Sequence, residues 1–254
     1  MEWDPDNYLR FGDERARPFF DLANRIHLSQ AATVVDLGCG PGTLTATLAQ
    51  RWPMARVLGI DSSPQMIHRA SVLATEQIGF ALGDLAAWEP AERVDVVLSN
   101  AALQWVPGHR ALLPRLAAAV NPGGYLAFQV PGNFDEASHR VLFDLAADER
   151  FAPYTGGLER AAAADPADYL DDLGSLGMYV DAWETTYLHV LPGRNAVFDW
   201  MTGTGARPIL QALPENLRQE FSLEFRSRLR DAYPPQAYGT VLPFRRIFVV
   251  ARHP

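Results

Sequence analysis

The sequence contains no lysine: every one of its 22 basic residues is an arginine. Cysteine is almost as scarce. Cys39 is the single one, so no disulfide can close within the chain and no thiolate cage can hold a metal. The six histidines include no pair at the i, i+4 spacing of helical metal sites, so no metal is expected. No apolar run approaches the roughly 18–20 residues needed to cross a bilayer, so no membrane partner is expected. The opening residues Met1–Pro5 are acidic and polar, unlike a signal peptide, and the expected location is the cytoplasm. A block of basic residues is also missing. With a net charge of −8, the chain is a poor candidate for binding nucleic acid. An anionic ligand would need a few arginines to create local positive potential against the overall field.

What is present is an alternation of strand and helix signals. Thr33–Leu37 is a β-branched run that ends in glycines and reads as a buried strand. Thr43–Trp52 reads as a helix stopped by Pro53, and Val57–Asp61 as a second strand. Ser62-Ser63-Pro64 is a helix start, with a hydroxyl cap and proline in the first turn. Further strands are expected at Ile78–Leu82, Val94–Asn100 and Tyr125–Val130, with a helix over Pro107–Val120 and a turn at Asn121–Gly124. After Pro131 the alternation fails. Strands are expected at Ala182–Val190 and Arg246–Arg252 among helical stretches, of which Ile209–Tyr233 has the spacing of cap core. The fold class is therefore α/β: one domain over 1–254, a doubly wound, mostly parallel, seven-stranded Rossmann-like sheet. A helical cap is expected from insertions at about 135–178 and 192–240. Ligands of such sheets sit at the carboxyl ends of the strands, near the point where strand order reverses.

The sharpest local signal is Asp36-Leu37-Gly38-Cys39-Gly40-Pro41-Gly42, between the first strand and the first helix of the alternation. Its glycines permit a tight turn and the approach of a ligand to bare backbone. Asp36 stands where a dinucleotide site is usually apolar. Asp61 ends the second strand, placed to accept hydrogen bonds from both hydroxyls of a ribose. Asp84 follows the third strand, where a carboxylate can meet an adenine amine. Asp36 would repel a pyrophosphate but not a sulfonium with an ammonium group, so the acids argue for S-adenosylmethionine rather than NAD.

The array DLGCGPG, GIDSSPQM, GDL and SNAALQW resembles the class I methyltransferase pattern over about residues 30–130. The resemblance implies that the glycine loop (Asp36, Gly38, Cys39, Gly40) and Asn100 face the methionine part of S-adenosylmethionine, that Ala101 and Trp105 also bind the cofactor, and that S-adenosylhomocysteine is the product. It implies that Asp61, Ser62 and Met66 hold the ribose and adenine, with Asp84 and Leu85 at the base. Cys39 fills a place that wants a small apolar residue, which is no setting for a nucleophile. The run Asn100-Ala101-Ala102-Leu103 departs from the Asn/Asp-Pro-Pro-aromatic motif of amide and nucleobase N-methyltransferases. With no acidic cluster for a metal-assisted catechol reaction either, a small acid or alcohol is left as acceptor.

Further segments narrow the choice: Trp3–Pro5 with Tyr8-Leu9, Glu14–Pro18, Leu103–Pro107, Gln129–Asn133, Asp199–Pro208 and Pro243–Phe248. Together they resemble the trans-aconitate 2-methyltransferase family across nearly the whole chain, with Phe151–Ala164 matching least. The resemblance implies esterification of one carboxylate of a small tricarboxylate. Arg207 and Arg246 are the main candidates to grip the other carboxylates. Arg17 would serve either the acid or the cofactor carboxylate, and Trp200 would stand at the substrate. Trp105 and Trp200 read either as wall or as direct contacts. His109 and His189 read as structural. Trp3 and Tyr8 form either a lid or part of a helix packed on the sheet. A carboxylate with a pKa of about 4 is already ionised at pH 7, so no general base is expected. Two other functions are compatible with the residues: methylation of another small acid or alcohol, and a non-catalytic S-adenosylmethionine sensor.

Overall fold

A computed structural model of the chain describes residues 12–158 and 160–254, with residues 12–15 described by their backbone alone. Trp3 and Tyr8 lie outside the described residues. The elements follow in the order α1 (Gly12–Asn24), β1 (Thr33–Leu37), α2 (Thr43–Arg51), β2 (Arg56–Asp61), α3 (Pro64–Ala70), β3 (Ile78–Leu82), β4 (Val94–Asn100), α4 (Leu113–Ala118) and β5 (Val120–Pro131). Then come α5 (Ala137–Ala146), α6 (Ala152–Thr155), α7 (Pro166–Gly174), β6 (Tyr179–Leu191), α8 (Ala196–Thr202), α9 (Arg207–Ala212), α10 (Glu215–Ala232) and β7 (Thr240–Arg252).

The seven strands form one sheet in the order β3-β2-β1-β4-β5-β7-β6. The first five are parallel, and β7 runs antiparallel to both of its neighbours. Strand order reverses between β1 and β4, so the carboxyl ends of those two strands open a crevice.

Alternation along the central strands sends successive side chains to opposite faces. Val35, Leu37, Val97 and Phe128 pack with Leu113, Leu116, Tyr169 and Leu173 from α4 and α7. Val34, Val96, Leu98 and Ala127 pack with Phe19, Leu22, Leu48 and Trp52 on the side of α1 and α2. A third core stands apart from the sheet. There Leu142, Leu145, Phe151, Trp200, Phe221, Phe225 and Leu229 of α5 to α10 close over Leu242 and Phe244 at the start of β7.

Five elements depart from the sequence reading. The turn at Asn121–Gly124 is a bulge inside β5: the β4–β5 register jumps from Val94↔Val120 to Val96↔Tyr125. The helix read over Pro107–Val120 is a 3-10 turn, His109–Leu112, followed by the short α4, because Pro114 confines the α-helix to the residues around it. Residues 166–178 pack on the sheet through Tyr169, Leu173 and Met178, within the layer that also holds α4 rather than within the third core. The last two strands are both longer than read, each with thirteen residues, because β6 and β7 form a twisted ribbon that extends past the sheet into the cap.

Candidate active site

The loop between β1 and α2 is built for close approach. Gly38, Gly40 and Gly42 all have positive φ, at 82°, 56° and 79°. A Cβ on Gly38 would lie 2.2 Å from the Ala102 side chain, whereas a Cβ on Gly40 would meet nothing within 4 Å. The first glycine brings the β1 and β4 loops together, and the second presents bare backbone to open space. The Gly38 and Cys39 amides donate to the Ile60 carbonyl at 2.8 and 3.0 Å, which ties the loop to β2.

Asp61 completes that tie. Its Oδ2 accepts from the Gly40 amide at 2.9 Å and its Oδ1 from the Ser63 amide at 2.8 Å. Each carboxylate oxygen keeps a further lone pair, so Asp61 can still accept from a ligand. Ser63 caps α3 by accepting from the Met66 amide, with Pro64 in the first turn. Asp84 caps the 3-10 turn Leu85–Ala87 through Oδ1, which accepts from the Ala86 amide at 2.8 Å, and its second oxygen stays available.

These residues enclose a cavity of about 310 Å³ at the carboxyl ends of β1 to β4. Of the residues read as cofactor-binding, Gly38, Gly40, Asp61, Ser62 and Met66 line it, as do Asp84, Leu85, Asn100, Ala101 and Trp105. The structure thus brings together ten of the twelve. Asp36 and Cys39 do not line the cavity. Asp36 turns behind the loop, where its Oδ2 accepts from the Thr45 hydroxyl at 2.6 Å and its Oδ1 meets no hydrogen-bond partner. Burial pushes the Asp36 carboxyl up to about 7; the Thr45 bond opposes the shift and the Asp61 charge adds to it. Burial, with Asp36 and Asp61 nearby, pushes the Cys39 thiol far up, so it is no thiolate at neutral pH. The residues fit a cationic nucleoside: carboxylates for ribose and base, open backbone at Gly40, and apolar Met66 and Leu85 beside them.

A second cavity, of about 110 Å³, opens between the sheet ends and the cap. Ala101 and Trp105 line both cavities. Ala101 has φ +55°, the one non-glycine residue with positive φ among the described residues. Such a conformation costs roughly 1–2 kcal/mol and persists where the surroundings impose it. Here its amide donates to the Gln129 carbonyl at 2.9 Å, and its carbonyl accepts from Gln104 Nε2 at 2.7 Å.

Among the described residues no carboxylate lines the second cavity, but two arginines do, Arg160 and Arg246. Arg246 is 5% exposed and lies over the Phe244 ring at 4.4 Å. Arg160 is exposed and lies over Phe143 at 4.3 Å. Buried Gln104 and Asn133 also line the cavity, with Gln104 Oε1 and Asn133 Oδ1 meeting no hydrogen-bond partner. His139 lines it too, but burial pushes its pKa down to about 4, so it is neutral and adds no charge.

Arg246 alone, of the residues read as substrate-binding, lines this cavity. Trp200 is buried in the cap core, stacked on His189 at 4.9 Å and against Phe244 at 5.4 Å, because α8 turns that face inward. Arg207 opens α9 but is not on the cavity wall, although Pro208 and Ile209 beside it are. Arg17 is exposed on α1, 5.8 Å from the Tyr187 ring centroid. Sequence reasoning missed Arg160, Gln104, Asn133 and His139. Gln104 and Asn133 belong to segments that carried the resemblance; Arg160 lies in the stretch that resembled the family least. His109 bonds Tyr169 at 2.6 Å within the core, a structural place.

Residues 34–124 match the family model of the methyltransferase domain, and the architecture is that of a class I methyltransferase. A chain from the complex of the Haloferax volcanii Trm112 methyltransferase activator with a methyltransferase shares the fold, at TM-score 0.57 and 18% identity over 96% of this chain and 91% of that one. Much nearer relatives exist. A trans-aconitate 2-methyltransferase of Streptomyces avermitilis is 48% identical over 98% of this chain and 96% of its own, and one of Streptomyces coelicolor is 49% identical over 99% and 87%. The chain belongs to the trans-aconitate 2-methyltransferase family. Among the described residues no helix is long and apolar enough to cross a membrane, and no cluster of three or more His, Cys, Asp or Glu could hold a metal ion.

Proposed function

We propose that the protein methylates one carboxylate of trans-aconitate, with S-adenosylmethionine in the larger cavity and the triacid in the smaller. The observation that carries this reading is the contact of the two cavities at Ala101 and Trp105, one walled by Asp61 and Asp84 and the other by Arg160 and Arg246, with no acid among its described lining residues. The charges are sorted: acids toward a cationic cofactor, arginines toward an anion. In a protein of net charge −8 such a local reversal is needed to hold a triacid. The names of the near relatives supply the acceptor, and the site agrees in charge.

When bound, S-adenosylmethionine supplies a methyl group on a cationic sulfonium, open to in-line displacement by an ionised carboxylate. The residues of the chain position and desolvate. Asp61 holds the glycine loop to α3 and offers its remaining lone pairs to ribose. Arg246, planar and fixed over Phe244, offers donors to a carboxylate. Asn133, whose Oδ1 meets no partner, can turn over its amide to donate, while Gln104 keeps its Nε2 on the Ala101 carbonyl. Trp105 and the cap keep water from the junction. Alignment of this kind can supply roughly 7–11 kcal/mol of barrier reduction without a general base.

The test is incubation with S-adenosylmethionine and a panel of acids and alcohols, read by mass spectrometry. A gain of one methylene on trans-aconitate, and not on monoacids or alcohols, is expected. Turnover of an alcohol in preference to the triacid would replace the acceptor, and binding of the cofactor with no turnover across the panel would favour a sensor.

A further inference from the structure

A chain of side-chain hydrogen bonds runs between the cavities through Gln129. Arg246 Nη1 donates to Gln129 Oε1 at 3.3 Å, and Gln129 Nε2 donates to Asn100 Oδ1 at 2.7 Å. Gln129 is 1% exposed and lines neither cavity. Its place follows from register: on β5 it lies opposite Asn100 of β4, while Arg246 of β7 lies opposite the nearby Pro131.

The direction of this chain is determined by chemistry. A guanidinium donates and cannot accept, whereas a carboxamide does both, from opposite ends. Arg246 therefore compels Gln129 to show it Oε1. The Nε2 end then points at Asn100 and compels that residue to answer with Oδ1. What remains of the Asn100 amide is its Nδ2, a donor, and Asn100 lines the larger cavity. The charge in the acid cavity thus decides which atom is offered in the cofactor cavity. The Gln129 carbonyl also holds the Ala101 amide at 2.9 Å, so one residue supports the whole wall between the two cavities.

We propose that Gln129 is a positioning residue that passes the donor polarity of Arg246 to Asn100, so that Asn100 Nδ2 faces the larger cavity as a hydrogen-bond donor to a bound carboxylate. The carboxylate belongs either to the amino-acid part of the cofactor or to the acceptor acid reaching the junction. The inference rests on the function proposed above, because both ligands are taken from it.

Two variants separate polarity from packing. Gln129→Met keeps the length of the side chain, removes both bonds and leaves Asn100 free to turn. Gln129→Glu keeps the shape and strengthens the bond to Arg246, but it offers Asn100 only acceptors, so Asn100 turns its Nδ2 inward and shows Oδ1 to the cavity. If Gln129 merely fills space, Glu is the milder change. If it relays polarity, Glu is the more harmful one. The full-length protein is titrated calorimetrically with S-adenosylhomocysteine and with methylthioadenosine, which lacks the amino-acid part, and KM is measured for trans-aconitate. The expected result is a carboxylate ligand bound roughly tenfold more weakly by the Glu variant than by the Met variant, as a donor is exchanged for an acceptor opposite a charged oxygen. A loss for S-adenosylhomocysteine but not methylthioadenosine assigns the carboxylate to the cofactor; a loss confined to the KM of the acid assigns it to the acceptor. A Glu variant equal to or better than the Met variant in both arms overturns the proposal. Should the Glu variant fail to fold, wild-type protein decides. Its Asn100 side-chain NH2 resonances must shift on saturation with one of the two carboxylate ligands, and constancy with both overturns the proposal. Wild-type protein that binds S-adenosylhomocysteine but leaves trans-aconitate unmethylated counts against the acceptor alone, and the relay then stands or falls on the S-adenosylhomocysteine arm.

Discussion

Asp61 accepts the amide proton of Gly40 at 2.9 Å, across 21 residues of chain. The bond joins the end of β2 to the loop after β1, so the carboxylate expected at a ribose also shapes the backbone that the nucleoside approaches. Asp61→Ala should therefore weaken S-adenosylhomocysteine binding by roughly 1.5–3 kcal/mol, about 10- to 150-fold, through lost charge-assisted bonds. Asp61→Asn should fall between, since an amide can accept from only one of Gly40 and Ser63. Calorimetry on folded variants decides, and unchanged affinity in the Ala variant removes Asp61 from the site.

Gly38 and Gly40 should respond differently to alanine. At Gly38 the new methyl group lies 2.2 Å from Ala102 and the backbone has φ +82°, so Gly38→Ala must displace the β4 loop. A loss of roughly 2 kcal/mol or more in unfolding free energy is expected. At Gly40 the space is open, and only the left-handed backbone resists, at about 1 kcal/mol. Gly40→Ala should fold but bind cofactor poorly, its methyl group occupying the cavity. Denaturant titration and calorimetry on both variants give the two quantities. Equal loss of affinity at equal stability would refute the distinction.

Asp36 should leave a signature in pH. Its carboxyl is raised from 3.8 to about 7 by burial. Between those values the folded state holds a proton that the unfolded state has released. The stability from this group is thus fully present below about pH 4, declines toward pH 7 at up to about 1.4 kcal/mol per unit, and stays lost above it. Asp36→Asn keeps an acceptor for Thr45 and removes the titration. Its unfolding free energy relative to wild type should rise from pH 5 to 7 and then level. A difference independent of pH would place the Asp36 pKa near its ordinary value.

The arginines should divide by position. Arg160 lines the smaller cavity and is exposed, so Arg160→Gln should reduce kcat/KM for trans-aconitate by roughly 1–2 kcal/mol, about 5- to 30-fold. Cofactor affinity should change less than about threefold, a difference below 1 kcal/mol. Arg207 is off the cavity wall, and Arg207→Gln should cost less than about 0.5 kcal/mol. Steady-state kinetics on the two variants tests the order. A larger loss at Arg207 would put the acid against α9 instead.

The cofactor side of the site could be read from the chain because its residues follow directly on strands. Period-two apolar runs announce the strands, glycines mark the turn after β1, and Asp61, Asp84 and Asn100 each stand at or just past a strand end. Local chemistry and the parallel topology carry them to one crevice. Asp36 shows the limit of that argument. It too stands at a strand end, but alternation turns it into the core beneath the loop, where Thr45 meets it.

The acid side was decided by tertiary structure. Resemblance singled out Arg246 together with Arg207, and nothing local distinguishes Arg160 from the other arginines or separates Arg246 from Arg207, because a guanidinium faces a cavity only through the packing of elements distant in sequence. Arg246 is held by β5 and Phe244, and Arg160 by the approach of Phe143 from α5. Trp200 lies in a segment that resembled the family, yet the cap core claims it, since an indole gains more from burial among Phe244 and His189 than from a polar wall. Gln129 was legible only as one residue of a strand-end segment. Its role needs the β4–β5 and β5–β7 registers together, which bring an amide of β4 and a guanidinium of β7 to the two ends of one buried carboxamide. Strand periodicity and turn chemistry are short-range and readable along the chain; the polarity of a buried amide is set by neighbours that only the closed sheet supplies.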